Sequence, residues 1–147
     1  MQLSKIRIKN YRLLINAELD VDKKTTLIVG RNNTAKTSCM ECISTILNGN
    51  SFSYNDYPLT KRQELCNKIL EFMEKKIKYD MLCEQLDIIS AEFIIDYSLD
   101  DPEANLGALS PFIIDVDVDT TTAIVRAEYR VKIEEKALWD LFEKSCY

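Results

Sequence analysis

The chain has 147 residues, 46% of them hydrophobic and 29% charged, with a formal net charge of −5 and no histidine. That length suits one domain able to bury roughly two-thirds of its unfolded surface, and the composition excludes a disordered chain. No apolar run approaches the roughly 18 residues of a membrane span, and a chain without histidine has no histidine base or histidine metal site.

The opening MQLSKIRIKNYR alternates charged and aliphatic residues and lacks the apolar stretch of an export signal. Five cysteines (Cys39, Cys42, Cys66, Cys83 and Cys146) have no compact disulfide spacing and read as reduced thiols of a cytoplasmic protein. Charge is unevenly spread. Lys5, Arg7, Lys9, Arg12, Lys23, Lys24, Arg31 and Lys36 lie early in the chain, and no basic residue occurs between Lys78 and Arg126. A polyanion is expected to meet the first segment and to be repelled by the second.

In chain order, residues 3–9 and 16–21 alternate as half-buried strands, with Ala17, Leu19 and Val21 opposed to Glu18, Asp20 and Asp22. Residues 25–29 (TTLIV) form a short apolar run stopping at Gly30, the pattern of a strand buried on both faces. Residues 36–47 place Met40, Ile43, Ile46 and Leu47 at helical spacing before an Asn48-Gly49 stop. Residues 51–58 read as a loop. Residues 60–86 read as one amphipathic helix started near Thr60, with Leu65, Ile69, Phe72, Met73, Ile77, Met81 and Leu82 recurring. Residues 90–99 alternate around Phe93, Ile95 and Tyr97, residues 100–107 are turn-rich, residues 122–133 are the cleanest strand, and residues 134–146 an amphipathic helix. The predicted fold is α/β, with residues 1–50 as a strand pair plus strand-loop-helix and residues 51–147 as a helical and β-rich insert of the same domain.

Gly30-Arg31-Asn32-Asn33-Thr34-Ala35-Lys36-Thr37 matches G-x-x-x-x-G-K-[ST] except at its sixth position. In such a loop, successive backbone N–H groups turn toward a phosphate and the following helix presents its positive dipole end. Lys36 is then placed to pair β- and γ-phosphate oxygens, and the Thr37 hydroxyl to take one Mg²⁺ position, with Ser38 following. Ala35 departs from the motif, because glycine is usual where the backbone approaches a phosphate or needs unusual dihedrals. Cys39-x-x-Cys42 lies within the same helix and reads as packing.

Residues 6–14 (IRIKNYRLL), a second strand and residues 25–38 (TTLIVGRNNTAKTS) resemble the start of ABC-type ATPase heads of the SMC/RecF superfamily. Within it, the sequence is similar to ATP-dependent endonucleases of the OLD (overcoming lysogenisation defect) type. The family's Asn-aromatic-Arg turn is matched by Asn10-Tyr11-Arg12, and residues 106–117 and 121–133 resemble its β-rich insert. The resemblance implies a P-loop NTPase fold, the N-terminal lobe of an ABC-type head with a mixed sheet and an antiparallel β insert, incomplete on its own. It implies ATP and Mg²⁺ as cofactors and places Arg12 and Asn10 at the nucleotide pocket. It also implies that heads self-associate around two ATP molecules and that DNA is engaged through the full-length protein, with no membrane partner. A nuclease carrying clustered carboxylates, and a phage-defence role, are further implications.

The Walker B pair is not evident. Asp115 and Asp117 follow an apolar run but come too early in the family's order, and neither Gln63 nor Gln85 has the context of a Q-loop glutamine. The isolated chain is therefore expected to lack hydrolysis and cleavage. A RecF- or SMC-like repair or chromosome ATPase is the alternative within the superfamily, and a degenerate P-loop interaction module the alternative outside it.

Overall fold

Alternating basic and aliphatic side chains give β1 (Gln2–Tyr11) two unlike faces, and the other elements are arranged around them. The computed structural model describes residues 1–31, 35–86, 88–97, 121–130 and 134–145. β1 is an inner strand of a four-stranded sheet ordered β2-β1-β3-β4, with β2 at Leu14–Asp20, β3 at Ile89–Asp96 and β4 at Thr122–Tyr129. Every pairing among these strands is antiparallel. The expected mixed sheet is thus replaced, among the described residues, by an antiparallel one. β3 lies directly beside β1, so the first 50 residues and the following segment share one sheet.

One face of the sheet is apolar. Ile6 and Ile8 of β1 and Ile89 and Ala91 of β3 form a buried core with Tyr11, Phe52 and Tyr57. Helix α1 (Lys36–Leu47) covers this face through Cys39, Cys42, Ile43 and Ile46, an i, i+3, i+4, i+7 stripe. The buried stripe is therefore rotated from the expected one. Cys42 is fully enclosed, whereas Met40 and Leu47 are exposed. Small thiols let the helix sit close to the strands.

The opposite face is ionic. Arg7 stands opposite both Glu18 and Glu92, and Glu92 stands opposite Arg126, so one register row carries alternating charge across all four strands. Arg7 Nε donates to Glu18 Oε2 at 2.7 Å, Arg7 Nη1 lies 3.7 Å from Glu92 Oε2, and Arg126 Nη2 donates to Glu92 Oε1 at 2.6 Å. Lys5 adds a short hydrogen bond to Glu18. Glu92 is buried beneath the two guanidinium groups. Basic charge on β1 is consequently matched within the sheet, which reduces its attraction for a polyanion.

Residues 25–29 depart from expectation. They form no strand in the structure, and Leu27 and Val29 are 80% and 76% exposed. Ile28 is half-buried toward the sheet, but none of the described strands pairs with this segment. The single helix expected over residues 60–86 is two: α2 (Leu59–Met73) and α3 (Tyr79–Gln85). The chain reverses where Lys75 takes a left-handed φ of 59°. That break folds Phe72 of α2 against Leu82 of α3 and Leu138 of α4 (Glu135–Ser145), a second apolar cluster joined by Trp139 at 5.3 Å from the Phe72 ring. One straight helix would leave part of this apolar stripe in water. Thr60 does not cap α2, which begins after Pro58 without a side-chain cap.

Truncating Ile8, 1% exposed, should cost about 3 kcal/mol as Ile8→Ala. Leu27→Ala should change stability by less than about 0.5 kcal/mol, as an exposed site does. Urea unfolding of both variants checks the pair, and equal losses would show that residues 25–29 are as buried as their sequence suggests.

Candidate functional site

The sheet and α1 bring the two ends of the motif loop together. Gly30 leaves the sheet side, Ala35 precedes the helix, and Lys36 opens it, while Asn32, Asn33 and Thr34 lie outside the described residues. The Lys36 side chain folds back over the loop, and its Nζ donates to the Gly30 and Arg31 carbonyls at 2.5 Å each. The ammonium is thereby held at the start of the motif loop. Ala35 has no side chain with which to cap the helix N-terminus, and the first turn holds no acid. The positive dipole end of such a terminus favours an anion. Thr37 is exposed beside it and Ser38 half-buried. A cleft of about 380 Å³ runs from Gly30, Ala35 and Lys36 to the apolar face at Ile6 and Ile8.

Ala35 adopts φ 64° and ψ 9°, the left-handed region where glycine is at ease and a Cβ is strained. The dihedral requirement behind the motif's glycine is therefore present, although the residue is not glycine. Its carbonyl accepts the first helical hydrogen bond from Cys39 N–H at 2.9 Å, which ties the strained residue to α1.

Asn10 and Arg12, at the end of β1, both have positive φ, 59° and 49°, and neither lines that cleft. Asn10 Nδ2 donates to the Ile88 carbonyl at 3.0 Å and so fixes the entry to β3. Arg12 sits between α1 and the linker that precedes α2. Its Nε donates to Asp56 Oδ1 at 2.9 Å, its Nη1 makes a short bond to Glu41 Oε2, and its backbone N–H donates to the Asp56 carbonyl at 2.6 Å. The guanidinium also lies 5.1 Å from the Tyr11 ring centroid.

Glu41 and Asp56 were not among the residues the sequence singled out. Two weak signals mark them: Glu41 stands i+4 from Thr37 on α1, and Ser53-x-x-Asp56 has the spacing of a capping box, which the structure forms. Burial pushes the Asp56 carboxyl up, but hydrogen bonds from the Ser53 N–H, Arg12 and the Ser53 hydroxyl outweigh it and hold the group below its ordinary value. Burial drives the Cys42 thiol up to about 12, so this cysteine is inert packing. Among the described residues no cluster of three potential ligands could hold a metal ion. Asp115 and Asp117 lie outside the described residues.

An α/β fold with a lysine-bearing, acid-free helix N-terminus packed on its sheet is consistent with a P-loop protein. The AAA ATPase domain family model matches residues 1–145, and the chain belongs to that family. No curated protein shows a significant match to it. Membership supports an ATPase head and nucleotide binding, for which Mg²⁺ is the usual partner. No helix among the described residues is long and apolar enough to cross a membrane.

Relieving the left-handed alanine should raise stability. Ala35→Gly is expected to gain about 1 kcal/mol, or about 3 °C in melting temperature by calorimetry. An unchanged or lower midpoint would mean that the loop relaxes around the methyl group.

The depressed Asp56 value sets a pH dependence. A carboxyl whose folded value lies below its unfolded one stabilises the fold above the unfolded value, and that stability is lost as pH falls through the folded one. Wild-type stability should thus drop more steeply below about pH 4 than that of Asp56→Asn. Chemical unfolding at a series of pH values reads the difference, and parallel profiles would remove Asp56 as the source.

Proposed function

We propose that the chain is the ATP-binding N-terminal part of an ABC-type head. The full-length protein is a cytoplasmic, OLD-type, ATP-dependent DNA endonuclease acting in phage defence. The observation that carries the nucleotide reading is Lys36 opening an acid-free helix N-terminus, its ammonium bonded back to Gly30 and Arg31 at the start of a G-x-x-x-x-A-K-T loop. The residues fit the cofactor: Lys36 would bear on the β- and γ-phosphates, Thr37 would hold Mg²⁺, and backbone groups from Gly30 to Ser38 would line the phosphates. Bound Mg²⁺–ATP would supply the charge that paired heads close around. The Asn10-Tyr11-Arg12 turn supports the superfamily assignment, and the OLD assignment rests on sequence resemblance over the first 50 residues.

Segment 25–29 exposes Leu27 and Val29 and pairs with none of the described strands, which supports a larger sheet in the full-length protein with further strands flanking it. That arrangement explains why a run as apolar as Leu27-Ile28-Val29 is tolerated. Binding without turnover is the behaviour expected of residues 1–147.

Lys36→Met should remove most of the affinity for Mg²⁺–ATP, at least about tenfold, since a charge-assisted contact to phosphate is lost. Titration calorimetry on wild type and variant measures it. Equal affinity would sink the P-loop reading and leave the chain an interaction module.

A further inference from the structure

Helix α2 carries two side-chain series of helical spacing, and the fold buries one of them. Leu65 and Phe72 are buried, and Ile69 between them packs on the cluster of Phe72, Leu82 and Leu138. The second series is Leu59, Gln63, Cys66, Leu70 and Met73, which recur at alternating steps of four and three, the spacing of a helix–helix seam. It faces outward. Leu59 is 78% and Leu70 53% exposed, Gln63 and Cys66 are exposed, and Met73 is half-buried. The exposed Tyr54 ring widens this stripe, with its hydroxyl 3.4 Å from Cys66 Sγ. Single exposed leucines are ordinary, whereas apolar groups gathered along one seam mark a contact surface.

The charges of α2 say what fits there. Lys61 and Arg62 lie in its first turn, which holds no acid and has no side-chain cap, and Glu71 lies in its last turn, which holds no base. A helix dipole favours the opposite distribution. Within the chain Lys61 is met by Glu64 and Glu74 by Lys76, and no ion pair among the described residues reaches Glu71. A second α2 laid antiparallel along the seam corrects both ends, because it brings the partner's Glu71 to the basic first turn and the partner's Lys61 and Arg62 to the acidic last turn. The seam itself sets the register. With Leu59 opposite the partner's Leu70 and Gln63 opposite the partner's Cys66, the pairing is symmetric about a two-fold axis and each outer layer is leucine on leucine. A parallel copy would set like charges side by side.

We infer that the outer face of α2 is a self-association surface, occupied by α2 of a second copy of this chain in antiparallel orientation. None of its residues lines the cleft beside Lys36. The association therefore needs no nucleotide, which separates it from heads closing around ATP. A single 15-residue helix is about 22 Å long, so the pair buries less than a standard interface and is reversible.

Sedimentation equilibrium of residues 1–147 without nucleotide, from about 5 to about 500 µM, should show a monomer–dimer equilibrium. Leu70→Ser changes an exposed position, so it should keep the melting midpoint while weakening dimerisation at least about tenfold. Glu71→Lys should hold or raise the midpoint, because it suits the helix dipole, yet weaken dimerisation about threefold. Disulfide trapping reads the orientation in a background of Cys66→Ser, Cys83→Ser and Cys146→Ser. There Leu59→Cys mixed with Leu70→Cys should cross-link to one another faster than either does to itself. A monomer at every concentration would overturn the inference, and so would a dimer that both Leu70→Ser and Glu71→Lys leave intact. Faster trapping of Leu59→Cys with itself would rule out the antiparallel pair.

Discussion

Helix α1 must lie on the sheet and yet keep its first turn open, and most of the structure answers to that constraint. Its buried stripe includes two cysteines, whose small side chains let the helix approach Ile6, Ile8, Ile89 and Ala91 closely. The exposed end of the same helix carries Lys36, held by two loop carbonyls, and Thr37 beside it. Packing along the helix and openness at its tip are compatible because burial involves one face, whereas the dipole acts at the terminus.

The ionic face of the sheet solves a different problem. A four-stranded antiparallel sheet covered by α1 on one side leaves a second face toward water. Alternating Glu18, Arg7, Glu92 and Arg126 across the strands fills that face with matched charge and fixes strand register. A one-residue slip of β3 would turn Glu92 into the core and Ala91 out of it. The ladder therefore specifies register more than it adds stability, as partly exposed ion pairs contribute little.

Local strain gathers at two junctions, the end of β1 and the start of α1. Asn10, Arg12 and Ala35 all have positive φ. Each is held by a hydrogen bond to a distant or helical partner: Asn10 to Ile88, Arg12 to Asp56 and Ala35 to Cys39. Strain held by tertiary contacts in this way belongs to sites whose geometry matters more than their own stability. Lys75, the remaining non-glycine residue of this kind among the described residues, marks the reversal between α2 and α3.

Local patterning determined much of this protein. The period-two alternation of β1 and β2, the bounds of α1, and the lysine and threonine at its start were legible because each depends on near neighbours alone. The P-loop-like motif was legible for the same reason, including the backbone demand at Ala35. Tertiary structure decided the rest. Whether residues 25–29 are buried depends on which strands lie beside them, and the apolar run by itself carries no record of its partners. The break at Lys75 followed from burying Phe72 against Leu82 and Leu138, a gain invisible to a helical pattern that continues smoothly through the reversal. The partners of Arg12 came from 29 and 44 residues away, brought to one guanidinium by the packing of α1 and the linker. A motif names the residues that can meet a phosphate; only the folded chain decides where they stand.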